Sequence, residues 1–222
     1  MKNRTRVRFH SGTSEIMGIV VLLDREELTP GETALAQIRL ETPVSLIRDD
    51  RYVLRSYSPV RTIGGGRIIN PIPGKHKPGK QDIIGYLTTL TENDSERLIQ
   101  AQIQAAGFGG CKYANLRIMV NLPDKLLDQA LQTMLSQQSI IQIDKESRTF
   151  IHQKVFGEIQ EHARIHLAAY HTKNPLKSGI PKEELKTRLP ATVDSKTFLI
   201  ALQHLAKAGQ IVVEEDIVTH CP

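Results

Sequence analysis

Residues 4–10 read RTRVRFH. Arg4, Arg6, Arg8 and His10 share one parity and Thr5, Val7 and Phe9 the other, the period of two of a half-buried strand. Downstream, an apolar run from Ile16 to Leu23 ends in the polar loop Asp24-Arg25-Glu26-Glu27. Pro30-Gly31 is a turn signal, because Pro presets φ at the second turn position and Gly tolerates positive φ. Ala34, Ala36, Ile38 and Leu40 then alternate with Thr33, Leu35, Gln37 and Arg39. Tyr52 to Tyr57 and Arg67 to Asn70 complete the set. Short strands separated by turns predict a small antiparallel β-barrel or sandwich over residues 1–73.

Beyond the barrel, the stretch PIPGKHKPGKQ from Pro71 to Gln81 is rich in Pro, Gly and Lys, and residues 74–81 are expected to be a linker. From there the period becomes helical. Ile83, Ile84, Leu87 and Leu90 begin one helix. Asp94 or Ser95 can cap the next, whose stripe is Leu98, Ile99, Ile103 and Ala106. Asn121-Leu122-Pro123 opens a further helix with Leu126, Leu127, Ala130, Leu131 and Met134. Ser139 to Asp144 and Arg148 to His152 read as a hairpin. The pattern returns about 70 residues later: Arg188-Leu189-Pro190 echoes Asn121-Leu122-Pro123, and Ala201-Leu202-Gln203 echoes Ala130-Leu131-Gln132. Helix, helix and hairpin in that order predict two tandem winged helices, 82–152 and 153–222.

Charge is distributed unevenly. Residues 1–80 hold 14 Lys and Arg against 8 Asp and Glu, whereas residues 81–222 hold 15 against 16. The whole positive excess therefore lies in the first third, which is the better candidate to meet a polyanion. No apolar run is long enough to span a bilayer, and Met1-Lys2-Asn3-Arg4 lacks the apolar stretch of a signal peptide. Cys111 and Cys221 match no metal spacing and are expected to be free thiols in a reducing cytoplasm. Trp is absent and aromatics are scarce, so no base-stacking platform is expected.

The motifs that could carry chemistry fail on context. Gly74 to Lys80 has P-loop spacing, but Gln81 stands where a Ser or Thr hydroxyl should meet Mg²⁺. Gly64-Gly65-Gly66 suggests a tight turn or a close backbone approach, including an approach by RNA. His162 and His166 are four apart on a helix, yet no third ligand is evident and a solvated helix edge accounts for them. Neither a catalytic group nor a metal site is expected. The basic set is more telling. Arg4, Arg6, Arg8 and His10 project from one strand face; Arg51, Arg55, Arg61 and Arg67 follow, then Lys75, His76, Lys77 and Lys80. Arg outnumbers Lys in the barrel, and its fork suits phosphate oxygens. The helix after Pro123 carries Asp124, Lys125 and Asp128, a poor surface for a nucleic-acid backbone.

TRVRFHSGTSEI (5–16), residues 20–40 with PGE at 30–32 and ALAQIRLE following, and RYVLRSYSPVRTIGGGRIIN (51–70) resemble the third domain of the bacterial selenocysteine-specific translation elongation factors, the SelB family. The stretch is also similar, more loosely, to the third barrel of elongation factor Tu. The resemblance implies a fragment: an elongation-factor barrel and the first two of four winged helices, with a first barrel strand absent and an edge exposed. It implies that GTP and Mg²⁺ belong to a GTPase domain outside this chain, so the chain itself is no enzyme and holds no cofactor. The implied partner of the barrel is the T-arm of selenocysteyl-tRNA. By the matching hairpin, Arg55, Arg61, Thr62, Gly64, Gly65 and Gly66 lie near that RNA, with Arg6, Arg8 and His10 a weaker extension from charge and alternation and Arg67 added to the set. The winged helices are implied to act as a spacer toward the wings that grip the messenger hairpin on the ribosome, in the cytoplasm, with neither membrane nor DNA as partner. The competing readings are a winged-helix DNA-binding regulator and a small-molecule enzyme built around the glycines.

Overall fold

The computed structural model describes residues 1–92 and 94–220, so Cys221 lies outside the described residues. The chain forms two compact units, one of residues 1–101 with 117–123 and one of residues 102–116 with 124–222.

The first unit is built on β1 (Thr5–Ser11), β2 (Ser14–Leu22), β3 (Ala36–Leu40), β4 (Arg51–Ser56) and β5 (Thr62–Arg67). These form one antiparallel sheet in the order β3-β2-β1-β4-β5. The alternation expected over residues 4–10 holds: Val7 and Phe9 are buried with Val20, Leu22 and Leu54, and Phe9 stacks on Tyr52 at 5.1 Å. Among the described residues no pairing joins β3 to β5, yet Ala36 and Ile38 of one and Gly64 to Gly66 of the other line a common cavity of about 880 Å³. The sheet thus curls toward closure and stays open along that seam.

Residues 74–79 are laid against β3. Gln37 holds the segment with both ends of its amide, donating to the Gly74 carbonyl at 2.7 Å and accepting from the His76 amide at 3.3 Å. Arg39 donates to the His76 carbonyl at 3.1 Å, and the Gly79 amide donates to the Leu23 carbonyl at 2.9 Å. A P-loop presents its amides to phosphate; here the His76 and Gly79 amides are engaged inside the protein. The segment runs into α1 (Gln81–Thr91), and Asp94 then caps α2 (Ser95–Ala105), its Oδ1 accepting from the Glu96 and Arg97 amides at 3.0 and 3.1 Å.

The rest of the chain repeats one plan. α2 is followed by β6 (Cys111–Lys112), α3 (Tyr113–Val120), α4 (Asp124–Ser136), β7 (Ile140–Asp144) and β8 (Thr149–His152). α5 (Gln153–Lys173) is followed by β9 (Ile180–Pro181), α6 (Lys182–Thr187), α7 (Ser195–Lys207), β10 (Ile211–Glu214) and β11 (Ile217–His220). The sheets have equivalent orders, β6-β8-β7 and β9-β11-β10, the short strand pairing with the last strand of the hairpin each time. Each repeat is a winged helix. In the second, the stripe Phe156, Ile159, Ala163, Leu167 and Tyr170 of α5 is buried against Leu185, Phe198, Ala201, Leu202, Leu205, Ile211 and Val218.

Several details differ from the sequence expectation: the last strand of the sheet is Thr62–Arg67 and not Arg67 to Asn70. Pro190 does not open α7, because Val193 is buried and Asp194 supplies the cap, its carboxylate accepting from the Thr197 amide at 2.7 Å. The strands β6 and β9 and the helix α3 are additional elements; two-residue strands carry no period, and α3 begins straight after one of them.

Candidate nucleic-acid interface

The outward parity of β1 carries Arg6, Arg8 and His10, and the pairing register decides what lies beside them. Arg8 stands directly opposite Arg55 of β4, and Arg55 stands opposite Thr62 of β5. Like charges directly opposite one another destabilise a sheet. Glu15 on β2 offsets this repulsion: it accepts from Arg8 at 2.5 Å and lies 3.9 Å from His10 Nε2. Its carboxyl is held below the usual range, first by the Arg8 hydrogen bond and then by the nearby charges of His10 and Arg55. On the other side Arg6 pairs with Glu41 at 2.8 Å. Among the described residues Arg8 Nε and His10 Nε2 are shielded from solvent without a hydrogen-bond partner.

The tip between β4 and β5 is closed by Ser56, whose amide donates to the Arg61 carbonyl at 2.8 Å and whose Oγ accepts from the Arg61 amide at 3.1 Å. Tyr57 to Arg61 are exposed on this tip. Among the described residues neither Arg55 nor Arg61 has an ion-pair partner. Sequence reasoning missed Tyr57. The Arg6 and Arg8 guanidinium carbons lie 5.1 and 5.8 Å from its ring centroid. The signal was available in the spacing, since an aromatic two residues after Arg55 falls on the same parity.

The three glycines lie within strand β5 and not in a turn, and they are not equivalent. A Cβ on Gly65 would sit 2.5 Å from the Tyr52 carbonyl oxygen, and one on Gly66 would sit 2.6 Å from the Tyr52 hydroxyl. Only at Gly64 is the space open. Arg67 pairs with Asp49 at 3.3 Å at the other end of the strand, opposite Arg51 and away from the Arg8–Arg55 pair.

In the winged helices one wing cation and one helix cation are paired internally. Arg148, at the β7–β8 turn, donates to Asp128 of α4 at 2.6 Å and lies 3.8 Å from the Tyr113 ring centroid. Lys196 of α7 donates to Asp144 at 3.1 Å, and the β10–β11 turn carries Glu214, Glu215 and Asp216. His162 lies beside the Phe108 ring at 6.0 Å, and burial pushes the Cys111 thiol up to about 11. Among the described residues no three metal-ligating side chains gather, and no helix is long and apolar enough to cross a membrane.

Comparison with known proteins agrees with this layout. Residues 1–75 match a family model described as the β-barrel domain of selenocysteine-specific elongation factor, and residues 165–219 match one described as the winged helix of elongation factor SelB. A selenocysteine-specific elongation factor from Desulfomicrobium baculatum is 36% identical over 217 residues, spanning 98% of this chain. The chain belongs to the SelB family. The elongation factor of the same description from Escherichia coli K12 is 22% identical over 211 residues, 92% of the chain. The crystal structure of a bacterial selenocysteine-specific elongation factor superposes with a TM-score of 0.66 over 99% of the chain at 15% identity, a likeness of fold. The chain spans about a third of these SelB proteins: 34% and 31% of the two relatives and 32% of the solved chain.

Proposed function

We propose that this chain supplies the tRNA-holding barrel and a winged-helix spacer of a selenocysteine-specific elongation factor. The barrel face of Arg55, Arg61 and Thr62, backed by Arg6, Arg8 and His10, takes the phosphate backbone of the T-arm of selenocysteyl-tRNA. The observation that carries this reading is the pair of unpartnered arginines, Arg55 and Arg61, beside a crowded like-charge cluster. Guanidinium groups that have no carboxylate partner among the described residues, one on β4 and one on the β4–β5 tip, are available to phosphate. The winged helices, in which Arg148 is matched by Asp128 and Lys196 by Asp144, serve as a spacer toward the messenger hairpin and the ribosome. GTP and Mg²⁺ have no role within this chain under this reading; they belong to the GTPase domain of the whole factor, which acts in the cytoplasm.

Fluorescence anisotropy of selenocysteine tRNA titrated with the 222-residue chain at low salt tests it. Binding should fall by about tenfold or more for Arg55→Glu with Arg61→Glu, and the salt slope should flatten by about 0.9 for each phosphate that is no longer held. Equal binding by wild type and the double variant would sink the assignment.

A further inference from the structure

We infer that Tyr57 reads the sugar edge of the RNA on this face, its hydroxyl exchanging a hydrogen bond with a ribose 2′-hydroxyl while Arg55 and Arg61 hold phosphate; this rests on the reading of the barrel as the RNA-holding part. Three observations converge on Tyr57. The residue sits at the β4–β5 tip with half of its surface exposed, 51%, in a chain with five tyrosines and no tryptophan. Its ring is flanked by Arg6 and Arg8, and those arginines are themselves fixed by Glu41 and Glu15. Among the described residues nothing hydrogen-bonds its hydroxyl.

The other tyrosines are differently placed. Tyr52 is packed on Phe9 with its hydroxyl pushed up by burial, the Tyr86 hydroxyl accepts from the Asn70 side-chain amide at 3.4 Å, Tyr113 lies under Arg148 with its hydroxyl on Asp128, and Tyr170 is buried in the second winged helix. Tyr57 alone of the five combines a ring flanked by two arginines with an exposed side chain. That division changes the part played by the β1 arginines. Arg6 and Arg8 brace the ring more than they meet phosphate, because each already has a carboxylate.

The ligand chemistry follows from what an RNA duplex offers. Its minor groove is wide and shallow and lines up 2′-hydroxyls, each both donor and acceptor. A phenol is also both donor and acceptor, and it carries no charge. A phenol flanked by phosphate-binding arginines therefore adds discrimination of RNA from DNA, which the arginines cannot provide.

The test uses the whole 222-residue chain with two probes: a T-arm RNA stem-loop, and the same stem-loop with its duplex riboses replaced by 2′-deoxyribose. Wild type should prefer the all-ribose probe, and Tyr57→Phe should lose about fivefold on it, the worth of one net hydrogen bond. On the deoxy probe Tyr57→Phe should match wild type, and its salt slope should be unchanged on both. Equal losses on the two probes, or none, would overturn the inference while leaving the arginine face intact, provided Arg55→Glu still weakens binding. Absence of wild-type binding to either probe would overturn both.

Discussion

The side-chain amide of Asn121 donates to the main-chain carbonyl of Arg48 at 3.0 Å, and the Arg48 amide donates to the Ile118 carbonyl at 3.1 Å. Asn121 makes this contact from the left-handed region at φ 50°, which Asn tolerates better than most residues. The turn before β4 is thereby stitched to the end of α3. The Arg48 side chain extends the stitch: it is buried, and its guanidinium donates to the carbonyls of Ile69, at 3.1 Å, and Leu90. Within this unit the sheet and the helices around it share one arginine.

Removing that arginine should be costly. Arg48→Ala leaves the Ile69 and Leu90 carbonyls without their donor and opens a void, so unfolding free energy should drop by about 3 kcal/mol. Arg48→Lys keeps the charge but not the fork that spans two carbonyls, and should fall between the two. Urea denaturation followed by circular dichroism measures both; an Arg48→Ala midpoint equal to wild type would contradict the role.

The glycine triplet divides into structural and free positions. Gly65→Ala should destabilise by roughly 1–3 kcal/mol, since its Cβ would press on main chain that cannot move aside. Gly64→Ala meets nothing and should leave stability unchanged or slightly raised, by up to about 1 kcal/mol. Thermal melts of the two variants decide this. Because Gly64→Ala remains folded, tRNA binding by that variant then isolates whether RNA approaches the strand there.

How much of this was legible beforehand can be judged from particular residues. Val7 and Phe9 went to the core and Arg6 and Arg8 to the surface because a strand has no other way to satisfy a strict two-residue period. The α5 stripe was legible for the same reason at helical spacing. The Arg8–Arg55 pairing was not, since it depends on a register between strands far apart in the chain that no local pattern encodes. The Gln37 grip on Gly74 and His76 was equally hidden; Pro and Gly marked a boundary, but a side-chain amide that mimics a strand partner leaves no periodic trace.

Asp144 makes a pH prediction. Its carboxyl is pulled down to about 2, first by the Ser147 hydroxyl and then by Lys196. A folded-state value below the unfolded one, about 3.9 for an ordinary aspartate, means the group stabilises the fold fully above roughly pH 4. That contribution is lost as pH falls toward 2. Asp144→Asn should therefore melt below wild type at pH 7, and the gap should close between pH 4 and pH 2. Differential scanning calorimetry at three pH values checks the sign; a gap that widened in acid would refute it.

Asp128 provides the sharpest test of the expectation that DNA is not a partner of these winged helices. Its carboxylate is held below the usual range, first by the Arg148 hydrogen bond, and Arg148 is one of two cations of the wing turn, with Lys145. Asp128→Ala removes the pair at small structural cost, under about 1 kcal/mol for so exposed an interaction. It should raise nonspecific affinity of the chain for duplex DNA severalfold at low salt, and steepen the salt slope by about 0.9, the signature of one further phosphate engaged. Asp128→Ala with Arg148→Ala should return both to wild type. If the single variant showed no higher DNA affinity, the Arg148–Asp128 pair would not be what limits phosphate contact at this surface.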